Sequence, residues 1–205
     1  MMKFSPIQLD ALEELANIGS AHSATTLSLM LKCHVNMNVP EIVITDIANL
    51  GQLLTDEITT LVVFELQGDI PHGGFLVLHF PGDSALRTAN ILIGSGDIAR
   101  PYGEMDQSAI LEVGNIMISS FLSATSDLLG IIMLPSPPVL VTDMTHAVIE
   151  SLIAGMSTEI NEMVVFRINL SSDEHEIAAN IMIFLEVDTL RMVAEMLEKM
   201  IMPEP

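Results

Sequence analysis

The sequence predicts an α+β fold made of two duplicated halves, each running helix, three strands, helix. The halves share one mostly antiparallel sheet, with the two long helices on one face. Three observations lead to this. The order of helical and strand-like segments restarts near residue 104, short matching words recur in the same order in both halves, and the strand-like runs are short, β-branched and bounded by turn residues. Two halves joined in one sheet bury edges that each would otherwise expose.

The first helix opens at Ser5-Pro6-Ile7-Gln8, a capping-box pair with a proline at the first helical position, where its missing N–H costs nothing. It is expected to run to about Lys32. At 100° per residue, Leu9, Leu12, Ala16, Gly19, Ser23, Leu27 and Met30 share one face, and Asp10, Glu14 and Asn17 share the opposite one. Strands are expected at 40–45, 60–67 and 74–80, the last two as a hairpin through Gly68-Asp69-Ile70-Pro71-His72-Gly73. A second helix starts at Asp83-Ser84 and stops at Gly94.

The three glycines and one proline of 94–103 read as a linker between repeats of about 1–97 and 104–205 in a single domain. Beyond it come a long helix over about 106–129, strands at 138–142, 163–170 and 178–185, and a closing helix over 188–202. A brief helix is expected over 145–155. The repeat shows in local words. Glu-x-x-Asn-Ile starts at 14 and at 112, Thr-Asp closes a β-branched run at 46 and at 143, and Val-Val-Phe starts at 62 and at 164. Asp-Ser-Ala-Leu-Arg at 83 corresponds to Asp-Thr-Leu-Arg at 188.

Length and composition narrow the function. The 205 residues suit one body of two halves of about 100 residues each. Seven basic and 27 acidic side chains give a net charge of −20, which repels nucleic acid and anionic membrane surfaces and favours a protein partner with a basic patch. With 4% aromatics and no Trp, the core must be Leu, Ile, Val, Ala and the 15 Met. No charge-free stretch supplies the ~20 uninterrupted apolar residues of a membrane span. The start lacks a signal-peptide core and Cys33 stands alone, so a reducing, cytoplasmic location is expected.

The chemistry concentrates in the Glu-x-x-Asn words. With 16 Glu and 9 Asn, one such word arises by chance about 0.7 times in this chain. Here there are two, in matching helices, and each Asn is followed 23 residues later by a proline, Asn17 by Pro40 and Asn115 by Pro138. The joint chance of that spacing is about 0.2%. A short polar side chain, Asp10 or Ser108, stands four residues before each Glu. Spacing i, i+3 sets Glu and Asn side by side on one helical face, with the Asp or Ser one turn below. An amide does not titrate near neutral pH, so each Asn is suited to holding a water or a carbonyl in place. The adjacent Glu can anchor a cationic side chain of a partner. Metal chemistry finds no support: the six His form no His-x-x-His or His-Glu-x-x-His, and one Cys cannot complete a zinc set. Gly94-Ser95-Gly96 lacks the context of a phosphate loop.

The pattern Asp/Ser-x3-Glu-x2-Asn-x22-Pro, present twice, resembles that of the CheC/FliY/CheX phosphatases of bacterial chemotaxis, and the likeness covers essentially the whole chain in length, repeat order and motif placement. The resemblance implies hydrolysis of the aspartyl phosphate on the response regulator CheY. It implies that Asn17 and Asn115 orient the attacking water, that Glu14 and Glu112 pair with a lysine of the regulator, and that Asp10, Ser108, Pro40 and Pro138 support the sites. It implies no cofactor in this chain, since Mg²⁺ is carried by the phosphorylated regulator. It also implies a second partner, the deamidase CheD, with 145–155 as candidate surface. Ser108 departs from the acid at Asp10, so the two sites are expected to be unequal. The competing expectation is a non-catalytic adaptor like the related flagellar switch proteins, which bind regulators or partners but lack the Glu/Asn pair.

Overall fold

The structure, a computed structural model, describes residues 4–46, 49, 57–70, 73–95, 100–154 and 162–201. Helix α1 (Pro6–Leu31) starts as its sequence dictates: the Ser5 hydroxyl accepts from the Gln8 N–H, and the Gln8 side-chain oxygen accepts from the Ser5 N–H. It is followed by β1 (Asn36–Met37), β2 (Glu41–Asp46), β3 (Ile58–Gly68), β4 (Gly74–Phe80) and α2 (Ser84–Ile93). The second half contains α3 (Glu104–Leu129), β5 (Met133–Pro135), β6 (Val139–Met144), α4 (Thr145–Ala154), β7 (Glu162–Ser172), β8 (Ile177–Glu186) and α5 (Val187–Ile201). The expected helices and strands are all present within a few residues. Strands β1 and β5 were not expected, because two or three residues are too few for a period of two to show. Pro71 and His72 of the hairpin tip, residues 96–99 of the linker and Gly155 lie outside the described residues.

The sheet has eight strands in the order β1-β7-β8-β4-β3-β5, with β2 also on β7 and β6 also on β3. Each of these pairings is antiparallel. The two halves meet at the centre, where β4 pairs β8 with Leu76 opposite Ile183. Their leading strands are exchanged: β1 and β2 of the first half lie on β7 of the second, and β5 and β6 of the second lie on β3 of the first. Each half therefore completes the other's sheet, which goes further than two sheets abutting at one edge.

Alternation along the strands separates two cores. Val62, Phe64, Leu76, Leu78, Phe166 and Ile183 face a large core closed by α1, α2, α3 and α5. Leu61, Val63, Val77, Val165, Met182 and Phe184 face a smaller one, to which α4 contributes Val148 and Ile149. Among the described helices, α3 is the one long and apolar enough by length and composition to cross a membrane, with mean hydropathy 1.2, but half of that window is buried inside the protein. Its apolar character is that of a core helix.

Helices α1 and α3 cross antiparallel through residues of complementary size. A Cβ at Gly19 would lie 2.6 Å from the Phe121 ring, and the Ser23 hydroxyl donates to the Met117 carbonyl at 3.0 Å. Gly19 and Met117 are 98 positions apart, as are Ser23 and Phe121, and as are Glu14 and Glu112, so the two contacts are one contact repeated by the pseudo-two-fold. Of the face predicted to pack, Leu12, Ala16, Gly19, Ser23 and Leu27 are buried. Leu9 is instead 36% exposed, because it belongs to the first turn, before the packed stretch that begins at Ala11.

Two buried polar arrangements pin the body. The Arg100 guanidinium forks onto the fully buried Asp106 carboxylate and the Asn90 side-chain oxygen, and the Gly103 N–H donates to the same carboxylate at 2.8 Å. This ties the end of the linker to α2 and to the first turn of α3, and the guanidinium holds the Asp106 carboxyl below the usual carboxylate range. On the second face of the sheet, the Asn180 amide meets the His79 Nδ1 at 2.9 Å, the His79 Nε2 is buried without a hydrogen-bond partner, and burial lowers the His79 pKa from 6.5 to about 4.

Two predictions follow from this packing. Gly19→Ala should lower stability by about 1–3 kcal/mol, because the new methyl meets a buried ring. The loss for Gly19→Ala combined with Phe121→Leu should be smaller than the sum of the single losses, as read by denaturant unfolding. For His79, the unfolded chain takes up a proton near pH 6.5 while the folded chain resists until about pH 4. Stability should therefore fall as pH drops across that window, by up to about 3 kcal/mol, and His79→Leu should flatten that part of the profile. The Asp106 contribution should persist to lower pH, because its folded pKa is depressed.

Candidate functional site

The crossing that buries one face of each long helix leaves the opposite face outward. On α1, Asp10 and Glu14 are exposed and Asn17 is half-buried; on α3, Ser108, Glu112 and Asn115 are all exposed. Among the described residues, no hydrogen bond or ion pair engages the side chains of Asp10, Glu14, Asn17, Glu112 or Asn115, so their donors and acceptors are available to a partner. Ser108 differs: its hydroxyl donates to the Glu104 carbonyl at 3.0 Å, one turn back in its own helix. The two faces are alike in plan and unequal in detail, with a free carboxylate below the first pair and a committed hydroxyl below the second.

The backbone beneath each pair is held close. Gly114, between Glu112 and Asn115, faces the sheet, where a Cβ would come within 2.9 Å of Val62. Ala16 holds the corresponding place between Glu14 and Asn17 and is 2% exposed. A small residue at this step lets the helix lie directly on its support, which fixes the direction of the outward pair. Because the helices run antiparallel and cross near residues 21 and 119, each Glu lies seven positions before the crossing, at opposite ends of the helix pair. At 1.5 Å per residue the two Glu are about 21 Å apart along the axis, so these are two separate sites.

Pro40 is buried directly before β2, and Pro138 is half-buried directly before β6. The ladders begin one residue later, at Glu41 opposite Arg167 and Val139 opposite Val63, and a residue without an N–H fits such a strand entry. Their recurrent distance from each Asn reflects the repeated helix-to-strand path. The residues immediately after each Asn, Ile18 and Ile116, are half-buried at the edge of the pairs. The repeated Glu-x-x-Asn-Ile word contained them, but as apolar residues they were not singled out from the sequence.

Neither pair lines a described cavity. Among the described residues no group of three or more His, Cys, Asp or Glu is arranged to hold a metal ion. Neither site includes a thiol, an imidazole or an amine, and the amide beside each carboxylate cannot exchange a proton near neutral pH. What the arrangement can do is position a small polar molecule and bind a cation on an open surface.

A model of the CheC-like family matches residues 7–44 and 105–142, one stretch in each half, each spanning the Glu/Asn pair and the proline after it. The chain is 29% identical over 175 residues to the CheY-P phosphatase CheC of Bacillus subtilis, covering 82% of both proteins. It is 33% identical over 124 residues to a CheC1 of Halobacterium salinarum, covering 60% of this chain and 63% of that one. In fold it is similar to the crystal structure of Thermotoga maritima FliY, with TM-score 0.75 and 21% identity over 97% of this chain and 99% of that one. The chain thus carries the stretch matched by the CheC-like family model once in each half, alongside relatives in sequence and a shared fold.

Proposed function

We propose that this chain is a phosphatase that hydrolyses the aspartyl phosphate of the response regulator CheY at two pseudo-equivalent sites. The observation that carries this is the pair of uncommitted Glu/Asn couples on outward helical faces, with no thiol, imidazole or amine among them. Such a surface suits a substrate that brings its own activated bond, and an acyl phosphate is one. The naming of the Bacillus subtilis relative as a CheY-P phosphatase supports the same substrate.

In this mechanism Asn17 or Asn115 holds a water in line with the phosphorus. The water oxygen bonds to phosphorus as the bond to the aspartyl oxygen breaks, and the products are inorganic phosphate and the regulator's free carboxylate, with the water's proton leaving to phosphate or solvent. Glu14 or Glu112 pairs with a lysine of the regulator, which fixes the approach of the phosphoryl group. The divalent cation belongs to the phosphorylated regulator, so this chain supplies alignment alone. Asn17 is half-buried and Asn115 exposed, and Asp10 stands where the second site has a committed hydroxyl, so the two sites differ in activity. The chain acts in the cytoplasm, where its regulator is found. For CheD, we propose the groove beside α4, about 360 Å³ and lined in part by Val63, Phe75, Val139, Val141, Val148 and Leu152.

Asn17→Ala and Asn115→Ala remove little buried surface, so each should fold and bind the regulator nearly as wild type. Catalysis at the altered site should fall on the order of 10²-fold, with each single variant retaining the turnover of its untouched site and the two retaining unequal amounts. The double variant should approach the regulator's own decay rate, measured as phosphate release from phosphorylated CheY. Charge reversal at Glu14 and Glu112 should act mainly on half-saturation. A double Asn variant as active as wild type would return the adaptor reading to first place. For the α4 groove, Leu152→Asp should abolish CheD binding in a titration with purified CheD and leave phosphate release intact; unchanged binding would remove the groove as its site.

A further inference from the structure

Each Glu/Asn pair has a large apolar side chain exposed two helical turns before its Glu. Ile7, the second residue of α1, is 43% exposed, and Met105, the second residue of α3, is 68% exposed. They too are 98 positions apart, so they are equivalent under the relation that links Glu14 to Glu112. Of the large hydrophobics exposed among the described residues, no other two share that spacing. Leu9 is also exposed, but its equivalent is Gln107.

Direction matters as much as exposure. Seven residues at 100° bring Ile7 to within about 20° of Glu14, so Ile7, Asp10, Glu14 and Asn17 form one outward stripe, and Met105, Ser108, Glu112 and Asn115 form its counterpart. Seven residues also span about 10 Å, a distance that one face of a small globular partner covers while it reaches the Glu. On the other side of each pair, Ile18 or Ile116 borders the Asn. Each polar couple is thus bracketed by aliphatic groups, an arrangement that excludes water around a central charged contact once a partner is seated.

We infer that Ile7 and Met105 are docking anchors for the phosphorylated regulator, one at each site, and that they select a partner surface carrying an apolar patch about two helical turns from the lysine that meets Glu14 or Glu112. This rests on the phosphatase reading of the Glu/Asn pairs. The partner's charge follows from the chain itself: the net charge of −20 favours a basic approach, and the apolar anchors then fix its register. An anchor that contacts the partner without touching the reacting group should govern association and leave the chemical step alone.

The test uses the full chain with phosphorylated CheY. Ile7→Ser combined with Met105→Ser should raise half-saturation about tenfold with kcat unchanged, because losing an aliphatic anchor at each site weakens docking by about that factor. Thermal unfolding should match wild type, since both side chains are exposed in the free protein. Ile7→Leu with Met105→Leu should restore half-saturation. Ile132→Ser, at a residue 59% exposed and outside both stripes, should leave it unchanged. Half-saturation within twofold of wild type in the serine pair, or an equal rise from Ile132→Ser, overturns the anchor assignment. The phosphatase reading fails separately, on an active Asn17→Ala, Asn115→Ala double variant.

Discussion

The rest of the molecule depends on the antiparallel contact between α1 and α3, where a small residue on each side of the pseudo-two-fold meets a large one. Gly19 receives the Phe121 ring, and Ser23 sits against Met117 with its hydroxyl on that residue's carbonyl. A glycine within a helix costs about 1 kcal/mol relative to alanine, and here it lets a large aromatic side chain be buried at 5% exposure between the helices. The approach also decides orientation. Once these residues face inward, the helical period leaves Glu14, Asn17, Glu112 and Asn115 no place but outward.

Strand exchange supports that contact from below. Because β2 is carried on β7 and β6 on β3, the segments leaving α1 and α3 are each held by the opposite half. The β4–β8 pairing closes the centre, so a shift of one half would break ladders in both. The Arg100–Asp106 pair adds a third tie, from the linker to the first turn of α3, beneath the second site. Breaking such a buried pair is costly, which makes the start of α3 a fixed point rather than a fraying end.

Rigidity of this kind suits a surface whose task is alignment. Neither outward pair is enclosed, and the groups whose pKa burial or ion pairing moves, His79, Tyr102 and Asp106, lie in the body of the protein. In the proposed mechanism, catalytic power comes from holding one amide and one carboxylate in a set relation while the partner brings the reactive bond. Gly114 on Val62, and Ala16 at the equivalent place, hold the backbone of each pair against the layer below. The differences between Asp10 and Ser108, and between a half-buried and an exposed Asn, are then enough to make two copies of one site unequal.

The sequence by itself determined the helices and the longer strands, the duplication, and which helical face carries the two pairs, because each of these is written in local spacing: a capping box at Ser5, alternation through Val62 to Phe64, a step of three positions from Glu14 to Asn17. It also placed Leu12, Ala16, Gly19 and Ser23 on a packed face without naming what packs there. Tertiary structure decided the rest. Strand exchange, the size match of Gly19 with Phe121, the Arg100 fork on Asp106 and the His79–Asn180 contact join residues between 6 and 135 positions apart. The commitment of the Ser108 hydroxyl to Glu104 was local, yet composition alone could not show it, because a serine in a helix can turn either to its own backbone or to solvent. Local periodicity fixes which face of an element is apolar; which partner covers that face is set by three-dimensional contacts that no spacing in the chain encodes.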